Sequence, residues 1–358
     1  MIRDSLIPLL VEEEMRAVIE VIHRKHGLWL PEADLWLDPR RAVERAFVSH
    51  AHSDHFARSG RVLCSPVTGV LLRHRYRMPD GQLEPVEFHQ AFEHRGFRLR
   101  LLPAGHISGS AMLHLTRLSD RATLLYTGDF KLHASRTAES AQLVQADTLI
   151  METTFGKPRY VFPSPMELEG RVLGFVRQSL EQDHTPVLLG YSLGKAQEAM
   201  ALMASHGIPT LLHPAAAAMT RACRQAGVPG LPEPDEFTGT AAPGQVVIAA
   251  PQTVRSRLFQ GLKNRRCAML SGWALDPGAI HRYRVDAAIP LSDHADHPGL
   301  LECVRRVEPM RILTIHGYAR EFAAELRRAG WQAWSAAGGD QLELPLDDRS
   351  GDMPRPPH

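Results

Sequence analysis

Three histidines and an aspartate fall within six residues, His50, His52, Asp54 and His55, directly after an apolar run at 46–48. Neutral imidazole nitrogens and carboxylate oxygens are the ligands that borderline divalent metals prefer. In an extended segment, the side chains of residues 50 and 52 share a face, whereas those of residues 54 and 55 turn away. This spacing indicates two neighbouring metal ions rather than one closed tetrahedral site.

Further metal-competent side chains recur at the ends of predicted strands, where a rigid scaffold can bring several residues to one point. An aspartate or histidine at the tip of a buried strand is costly without a partner, and a metal ion is a suitable partner. The residues in such positions are Asp38, His106, Asp129, Glu152, His294 and His316. The predicted site therefore draws on most of the chain.

The elements that must position these residues change along the chain. After a helical spacing at 12–24, the apolar pattern predicts short strands at 28–30, 35–37, 45–49, 61–64, 97–102, 111–117, 123–128 and 148–152. Helices predicted at 164–182 and 193–206 then alternate with strands at 186–189, 210–213, 246–249 and 268–271, which is typical of a parallel sheet. Strands at 287–291, 311–315 and 332–335 and a helix at 318–329 complete the chain.

Length and composition are those of a globular protein without a strong overall charge. The chain has 358 residues, 44% of them hydrophobic and 23% charged, with a formal net charge of +1. A polyanionic partner must therefore be bound by a local patch. The four cysteines are scattered, no apolar run is long enough to span a membrane, and the N-terminal segment lacks the pattern of a secretory signal. We expect a cytoplasmic protein with no membrane contact.

The order of these motifs resembles that of the metallo-β-lactamase superfamily. The segments that carry the resemblance are His50-Ala51-His52-Ser53-Asp54-His55, Gly105-His106 and Gly128-Asp129. The segments 152–156 (ETTFG), 292–296 (SDHAD) and 315–317 (IHG) are similar to three further motifs of its β-CASP nuclease branch, which includes ribonuclease J, the mRNA 3′-end endonuclease and DNA-repair nucleases. Within this branch, the segments 27–31 (GLWLP) and 270–274 (LSGWA) look most like bacterial ligase-associated DNA exonucleases.

This resemblance implies an α/β fold, a metallo-β-lactamase αββα sandwich with an inserted α/β β-CASP domain. The implied boundaries are 1–162 for the first part of the sandwich, 163–282 for the insertion and 283–346 for the C-terminal part of the sandwich. Residues 347–358, which are rich in proline and charge, are expected to form a disordered tail.

The resemblance also implies which residues hold two divalent ions, zinc or manganese. The implied ligands are His50, His52 and His106 for the first ion, Asp54, His55 and His316 for the second, and Asp129 as a bridge between them. Asp38 would not bind a metal but would orient a ligand imidazole from behind.

The implied reaction is hydrolysis of a phosphodiester by a hydroxide that the two ions share. His294 is predicted to be the general acid that protonates the leaving oxygen, because an imidazole transfers protons near neutral pH. Glu152 would hold or polarise His294, and Asp54 would take part in catalysis as well as in metal binding. Three neighbours of His294 are competing candidates for the acid: Asp293, Asp296 and His297.

Two basic segments are candidates for contact with nucleic acid. Arg73, Arg75, Tyr76 and Arg77 interleave basic and aromatic side chains, a composition suited to single strands, although a solvated helix face has the same pattern. The segment 190–195 (GYSLGK) is one residue too short between its glycines for a P-loop and has alanine after the lysine. Lys195 at the start of a predicted helix is still a candidate for binding a DNA phosphate.

The sequence thus predicts a bimetallic phosphodiesterase that cleaves DNA, an exonuclease in DNA repair. Its substrate would be single-stranded or end-containing DNA, and a DNA ligase and a helicase would be its partners. The first alternative is an RNA nuclease similar to ribonuclease J or to the 3′-end endonuclease, since both classes use the same metal chemistry. A small-ester hydrolase is disfavoured by the insertion and by residues 152, 294 and 316, and a non-catalytic scaffold is disfavoured by the full ligand set.

Overall fold

The computed structural model describes residues 18–336. The predicted tail at 347–358 and residues 12–17 of the helix predicted at 12–24 lie outside the described residues. The last residues of that helix, 22–24, form a strand instead, because they pair antiparallel with residues 27–29 across a tight turn.

Nineteen strands and seven α-helices occur within residues 18–336. The strands are β1 (Ile22–Arg24), β2 (Gly27–Leu30), β3 (Leu35–Leu37), β4 (Arg45–Phe47), β5 (Arg61–Cys64), β6 (Leu83–Pro85), β7 (Ala91–His94), β8 (Phe97–Pro103), β9 (Ala111–Arg117), β10 (Thr123–Tyr126), β11 (Thr148–Glu152), β12 (Thr185–Leu189), β13 (Thr210–Leu212), β14 (Asp235–Glu236), β15 (Val246–Ala249), β16 (Arg265–Leu270), β17 (Ala287–Ile289), β18 (Arg311–Ile315) and β19 (Ala333–Ser335). The helices are α1 (Pro66–Tyr76), α2 (Pro165–Glu181), α3 (Lys195–Ser205), α4 (Pro214–Gln225), α5 (Ala279–Tyr283), α6 (His297–Val307) and α7 (Ala319–Arg328).

Two sheets pack face to face and enclose an apolar core. The first sheet runs from β1 to β6 in chain order, and the second has the order β19-β18-β11-β10-β9-β8-β7. Alternate side chains of each strand enter this core, for example Leu28 and Leu30 of β2 and Leu99 and Leu101 of β8. Helices α6 and α7 cover the outer face of the second sheet, and α1 and α4 cover that of the first. This is the αββα sandwich that the sequence predicts.

The third sheet has the order β14-β13-β15-β12-β16-β17, and all its strand pairs are parallel. Helices α2, α3 and α4 pack on one of its faces, and segments between residues 237 and 262 pack on the other. We call residues 165–289 the cap and the rest of the described chain the body. The cap sheet extends past the boundary predicted at residue 282, because β17 pairs with β16.

Strand directions in the body bring the predicted site residues to one edge. Strands β10, β11 and β18 are neighbours and run parallel, so the residues at their carboxyl ends, Asp129, Glu152 and His316, lie side by side. Strand β8 runs in the same direction as β10, because each is antiparallel to β9, and it ends before His106. Among residues 18–336, no helix combines the length and the apolar character needed to cross a membrane.

Candidate metal centre

Three imidazoles converge at the ends of β4 and β8. The Nε2 atom of His50 lies 3.0 Å from His52 Nδ1, and His106 Nε2 lies 3.2 Å from the same His52 nitrogen. His50 and His106 are buried, and His52 is half-buried. These three nitrogens are close enough together to bind one ion.

Main-chain carbonyls fix two of these rings. The carbonyl of Leu193 accepts a hydrogen bond from His52 Nε2 at 3.2 Å, and the carbonyl of Asp293 accepts one from His106 Nδ1 at 2.8 Å. A neutral imidazole carries one proton, so His52 Nδ1 and His106 Nε2 are the bare nitrogens. Burial lowers the pKa of His52 to about 4 and that of His106 to about 3, which keeps both rings neutral at pH 7.

His50 is fixed by Ser49. The hydroxyl of Ser49 donates to Asp38 Oδ2 at 2.5 Å and therefore accepts from His50 Nδ1 at 3.0 Å. The bare nitrogen of His50 is thus Nε2, and burial, followed by the neighbouring histidines, holds the pKa of His50 well below its usual value. Three bare nitrogens that face one another repel unless a cation lies among them. The donor set of this site therefore fits a divalent metal ion.

Asp129 contacts this cluster and also His55. Its Oδ2 atom lies 3.7 Å from His50 Nε2, 3.8 Å from His106 Nε2 and 3.2 Å from His55 Nε2. One carboxylate oxygen thus lies near ring nitrogens from both of the predicted ligand sets. Burial favours the protonated form of Asp129, but the charges of His55 and then His294 outweigh burial and hold its pKa well below the usual value.

Asp38 lies behind His55, at the end of β3. Its Oδ2 atom accepts hydrogen bonds from His55 Nδ1 at 2.9 Å and from the Tyr126 hydroxyl at 2.8 Å. His55 therefore turns Nε2 toward Asp129. Burial opposes a charge on His55, but Asp129 and Asp38 outweigh burial and hold its pKa well above the usual value. The backbone of Asp38 has a left-handed conformation, with φ of 39°. Strained backbone conformations of this kind occur mainly at functional sites.

The second predicted metal position is more open than the first. The carboxylate of Asp54 is 78% exposed and lies 3.9 Å from His55 Nε2, and the ring centroid of His316 lies 5.2 Å from that of His55. Among the described residues, His50, His55 and Asp129 have ligand atoms within 4.8 Å of one another, but no such group includes Asp54 or His316. Both residues line the same cleft, and burial lowers the pKa of His316.

His294 and Glu152 form a pair at the edge of the cluster. His294 Nδ1 donates to Glu152 Oε1 at 2.9 Å, and the fully buried Glu152 also accepts from the main-chain N–H groups of Phe130 and Thr154. Burial lowers the pKa of His294, but Glu152 and then Asp129 raise it to about 9. Since Nδ1 is engaged by Glu152, Nε2 is the nitrogen that can meet a substrate.

The three other candidates for the acid have different contacts. Asp296 caps helix α6 by accepting a hydrogen bond from the main-chain N–H of Gly299 at 2.9 Å. His297 Nε2 lies 3.0 Å from the Glu325 carboxylate. Asp293 forms a buried ion pair with a lysine of the cap. His294 is the one that pairs with Glu152.

Gly128 sets the path of the chain into Asp129. Its φ is +55°, and a Cβ atom there would lie 2.6 Å from Ser49 Cβ. The turn therefore requires glycine both for its backbone conformation and for the close approach of Ser49. Ser49 is also hydrogen-bonded to Asp38 and His50. Gly128 therefore packs against the serine that connects these two site residues.

The four residues at 73 and 75–77, which were predicted to contact nucleic acid, lie at the end of α1 and mostly contact the protein itself. Arg75 Nη1 and the Tyr76 hydroxyl both donate to the carbonyl of Ala51, at 3.1 and 3.4 Å, inside the histidine motif. Arg73 forms an ion pair with an aspartate after the helix, and Arg77 is the C-cap of α1. Arg75 alone among the four lines the cleft at the metal centre. Arg75 and Tyr76 therefore support the loop at residues 50–55 that carries the candidate ligands.

The side chain of Lys195, which was predicted to bind a DNA phosphate, instead contacts a carboxylate of the protein. Its side chain is 8% exposed, and its ammonium contacts Asp293. The residue begins α3, two positions after the predicted start of the helix at residue 193, but it points into the boundary between cap and body. Sequence reasoning missed this pair because its residues are 98 positions apart, and it missed the carbonyls of Leu193 and Asp293 because main-chain groups have no signature in the residue types.

A cleft of about 480 Å³ between body and cap opens onto the cluster. Tyr191 of the cap lines it, with a side chain that is 59% exposed and a ring centroid 6.5 Å from that of His52. Trp273 and Gln252, also of the cap, line it as well. The cleft thus combines the candidate ligands with an exposed aromatic surface.

Comparison with known proteins agrees with this arrangement. Residues 282–336 match the family described as the Zn-dependent metallo-hydrolase RNA specificity domain, RMMBL. A probable DNA ligase of Opitutus terrae is 44% identical over 339 residues, which cover 91% of this chain and 32% of that protein. The DNA cross-link repair protein SNM1 of Arabidopsis thaliana is 30% identical over 173 residues, 45% of this chain and 35% of that protein. An RNase J-like protein of Methanocaldococcus jannaschii is 29% identical over 186 residues, 46% of this chain and 44% of that protein.

The predicted resemblance to the β-CASP nuclease branch of the metallo-β-lactamase superfamily is confirmed by these matches. A crystal structure of a protein of unknown function from Enterococcus faecalis V583 has the same fold, with a TM-score of 0.55, 17% identity and coverage of 78% of this chain and 76% of that one. The predicted fold class and the predicted membership in a family of metal-dependent hydrolases are confirmed. The chain spans about a third of the length of the first two relatives.

Proposed function

We propose that this β-CASP chain is a two-metal phosphodiesterase that cleaves DNA, an exonuclease in DNA repair. The observation that carries the proposal is the set of bare imidazole nitrogens around Asp129, at the floor of a cleft with an exposed aromatic ring. DNA as the substrate is supported by the relatives named as a DNA ligase and a DNA cross-link repair protein.

The residues of the cluster fit two divalent ions, zinc or manganese. One ion would be held by His50, His52 and His106, and the other by His55, with Asp54 and His316 nearest to complete its surroundings. Asp129 would contact both. When bound, such ions activate water and the phosphate group as Lewis acids.

The chain's own residues provide orientation and a proton. Asp38 holds His55 through Nδ1, so that Nε2 faces Asp129. Glu152 holds His294 in the same way, and its charge favours the protonated imidazole. The Nε2–H group of His294 then donates the proton that the leaving sugar oxygen needs.

A single strand or a strand end is the substrate that best suits the cleft. The exposed ring of Tyr191 offers a stacking surface, and bases stack well on such rings only when they are unpaired. A DNA ligase as partner is supported by the Opitutus terrae relative, where a segment similar to this chain lies within a protein named for that activity. A helicase partner and a cytoplasmic location, which suits four free buried cysteines, remain parts of the proposal.

An RNA nuclease is the second candidate. It is favoured by the match of residues 282–336 to a domain described by RNA specificity and by the RNase J-like relative. The same residues would do the same chemistry on either polymer.

The decisive experiment compares end-labelled DNA and RNA of matched sequence, single-stranded and duplex, with added zinc or manganese. We expect DNA to be shortened progressively from one end, Asp129→Ala to be inactive, and Asp235→Ala, an exposed acid of the cap, to act as wild type. Faster cleavage of RNA would establish the second candidate instead. A metal-loaded protein that cleaves neither polymer would overturn both.

A further inference from the structure

The segment 190–195, which we call the cap loop, touches the metal centre from the cap. The carbonyl of Leu193 accepts the hydrogen bond from His52 Nε2 at 3.2 Å. Gly194 has φ of +94°, and a Cβ atom there would lie 2.5 Å from Cγ2 of Ile107, the residue that follows His106. The cap loop therefore packs directly against the surroundings of two candidate ligands.

Lys195 ends the cap loop and forms an ion pair with Asp293. The two side chains are 8% and 10% exposed. Within residues 18–336, the second carboxylate oxygen of Asp293 has no hydrogen-bond partner, so Lys195 is the side chain that holds this residue. Burying two charges costs free energy that a pair often does not recover, and removing one partner leaves an uncompensated charge. The buried Lys195–Asp293 ion pair therefore suggests a role other than stabilising the fold.

The main chain of Asp293 leads to the second ligand. Its carbonyl accepts from His106 Nδ1 at 2.8 Å, which fixes the proton on that nitrogen and leaves Nε2 bare. The next residue, His294, has its main-chain N–H bonded to Ser292 Oγ at 3.0 Å. A shift of Asp293 would thus move the hydrogen bond on which the orientation of His106 depends.

We propose that the cap loop is the outer support of the metal centre: Leu193 holds His52, and Lys195, through Asp293, holds His106, with the bare nitrogens toward the ion. Lys195 is in this sense a positioning residue. The inference rests on the proposed function only in that these histidines bind a metal. Metal affinity then depends on the seating of the cap, since loss of such outer hydrogen bonds weakens metal affinity by about 10–100-fold.

The test measures zinc affinity of the full chain by competition with a chromogenic chelator, without nucleic acid. Lys195→Met should bind zinc about 10–100-fold more weakly than wild type, and Lys195→Arg, which keeps the charge, should recover part of the loss. Lys263→Met, at an exposed lysine of the same cap, is the matched control and should bind as wild type.

A second variant separates positioning from folding. Lys195→Met combined with Asp293→Asn leaves no lone buried charge and keeps the carbonyl of residue 293. We expect the metal-free double variant to melt as wild type does, yet to bind zinc more weakly. Wild-type zinc affinity in Lys195→Met or in the double variant would overturn the inference. A variant series that shifts zinc affinity as expected, in a protein that cleaves no nucleic acid, would instead overturn the proposed function alone.

Discussion

At the residue scale, the centre depends on where each imidazole proton lies. Asp38, Ser49, Leu193 and Asp293 each occupy one nitrogen of a ring, and the other nitrogen is left to face the cluster. Such outer partners fix the tautomer of a ligand and raise its basicity. The geometry is therefore ready for a cation before one binds.

His294 and Glu152 give a direct prediction at this scale. His294→Ala should lower kcat by a factor of about 10²–10⁴, the usual contribution of a general acid, while two metals per chain are retained. Glu152→Gln should have a smaller effect, because an amide can still accept from Nδ1. Single-turnover cleavage and elemental analysis measure both quantities. His297→Ala is the control with little effect on kcat, and loss of a metal from His294→Ala would mark His294 as a ligand.

His114 gives a prediction about pH and stability. Burial, and then the charge of Arg100 on the neighbouring strand, lower the pKa of His114 to about 4. The unfolded chain, with a histidine pKa of about 6.5, binds more protons than the folded one between these values, so this residue makes stability fall as pH decreases from 6.5 toward 4. His114→Gln should remove roughly 1 kcal/mol of that loss at pH 5, after allowance for solvent screening.

The measurement for His114 is the free energy of unfolding between pH 7 and pH 4.5, from urea titrations. The exposed His23 provides the control, His23→Gln, which should follow the wild-type curve. An unchanged slope in His114→Gln would contradict the assigned cause.

Much of the site could be predicted from residue types. Histidine and aspartate are rare enough at strand ends that the motif around His50 and the separate His106 and Asp129 were recognisable, and the structure brings them together. Asp38 was expected as a support from the family resemblance, but Tyr126 and the carbonyl of Leu193 could not be predicted, because Tyr126 is 88 positions from Asp38 and a carbonyl belongs to every residue type. The burial of Lys195 could not be predicted either, because its partner Asp293 is distant in the sequence and comes beside it only in the folded chain.

At the scale of the elements, the turn after β10 is the most constrained connection to the site. Gly128→Ala would force alanine into a left-handed backbone conformation and would bring its Cβ atom into a clash with Ser49. We therefore expect a loss of about 3 kcal/mol in the free energy of unfolding and weaker zinc binding. Gly207→Ala is the matched control, because its φ of +66° is similar but nothing lies within 4 Å of the added Cβ. It should cost only about 1 kcal/mol and leave zinc binding unchanged.

The two variants are compared by urea denaturation of the metal-free protein and by chelator competition. Equal losses of stability for both would show that backbone strain alone, and not the contact with Ser49, matters at Gly128.

Most strands agree with the apolar alternation, but eight elements of residues 18–336 are not among the predicted ones: β1, β6, β7, β14, α1, α4, α5 and α6. Strand β6 has three residues and ends in proline, and β7 is largely exposed, so neither shows a clear alternation. Helix α1 lacks an amphipathic pattern, whereas the alanine-rich helix α4 has distinct buried and exposed faces and was overlooked. The helical spacing before residue 24 was misleading at its end, because pairing of β1 with β2 outweighs local preference.

At the scale of the whole molecule, function depends on the cleft between body and cap. If Tyr191 stacks on an unpaired base, Tyr191→Ala should weaken binding of single-stranded DNA by about 1–3 kcal/mol, whereas Tyr191→Phe should bind as wild type. Fluorescence anisotropy in a His294→Ala background measures binding without cleavage. Equal affinity of the alanine and phenylalanine variants would exclude stacking at this position.

The sandwich and its insertion could be predicted through the family resemblance, but the shape of the cleft could not. Its shape depends on contacts between distant segments, such as Ser135 Oγ donating to Glu198 of α3 at 2.6 Å and Arg136 pairing with Glu169 of α2. Such contacts depend on the relative placement of body and cap, which local patterns do not encode.

Strand β18 lies between β11 and β19 in the second sheet, although it is among the last segments of the described chain. During synthesis on the ribosome, the histidine motif and the whole cap emerge well before β18 and His316. The nascent chain therefore lacks the complete set of candidate metal ligands until translation has passed residue 316. Loading of the second proposed ion position should consequently be a late event in biogenesis, and we expect a product that ends before His316 to be inactive.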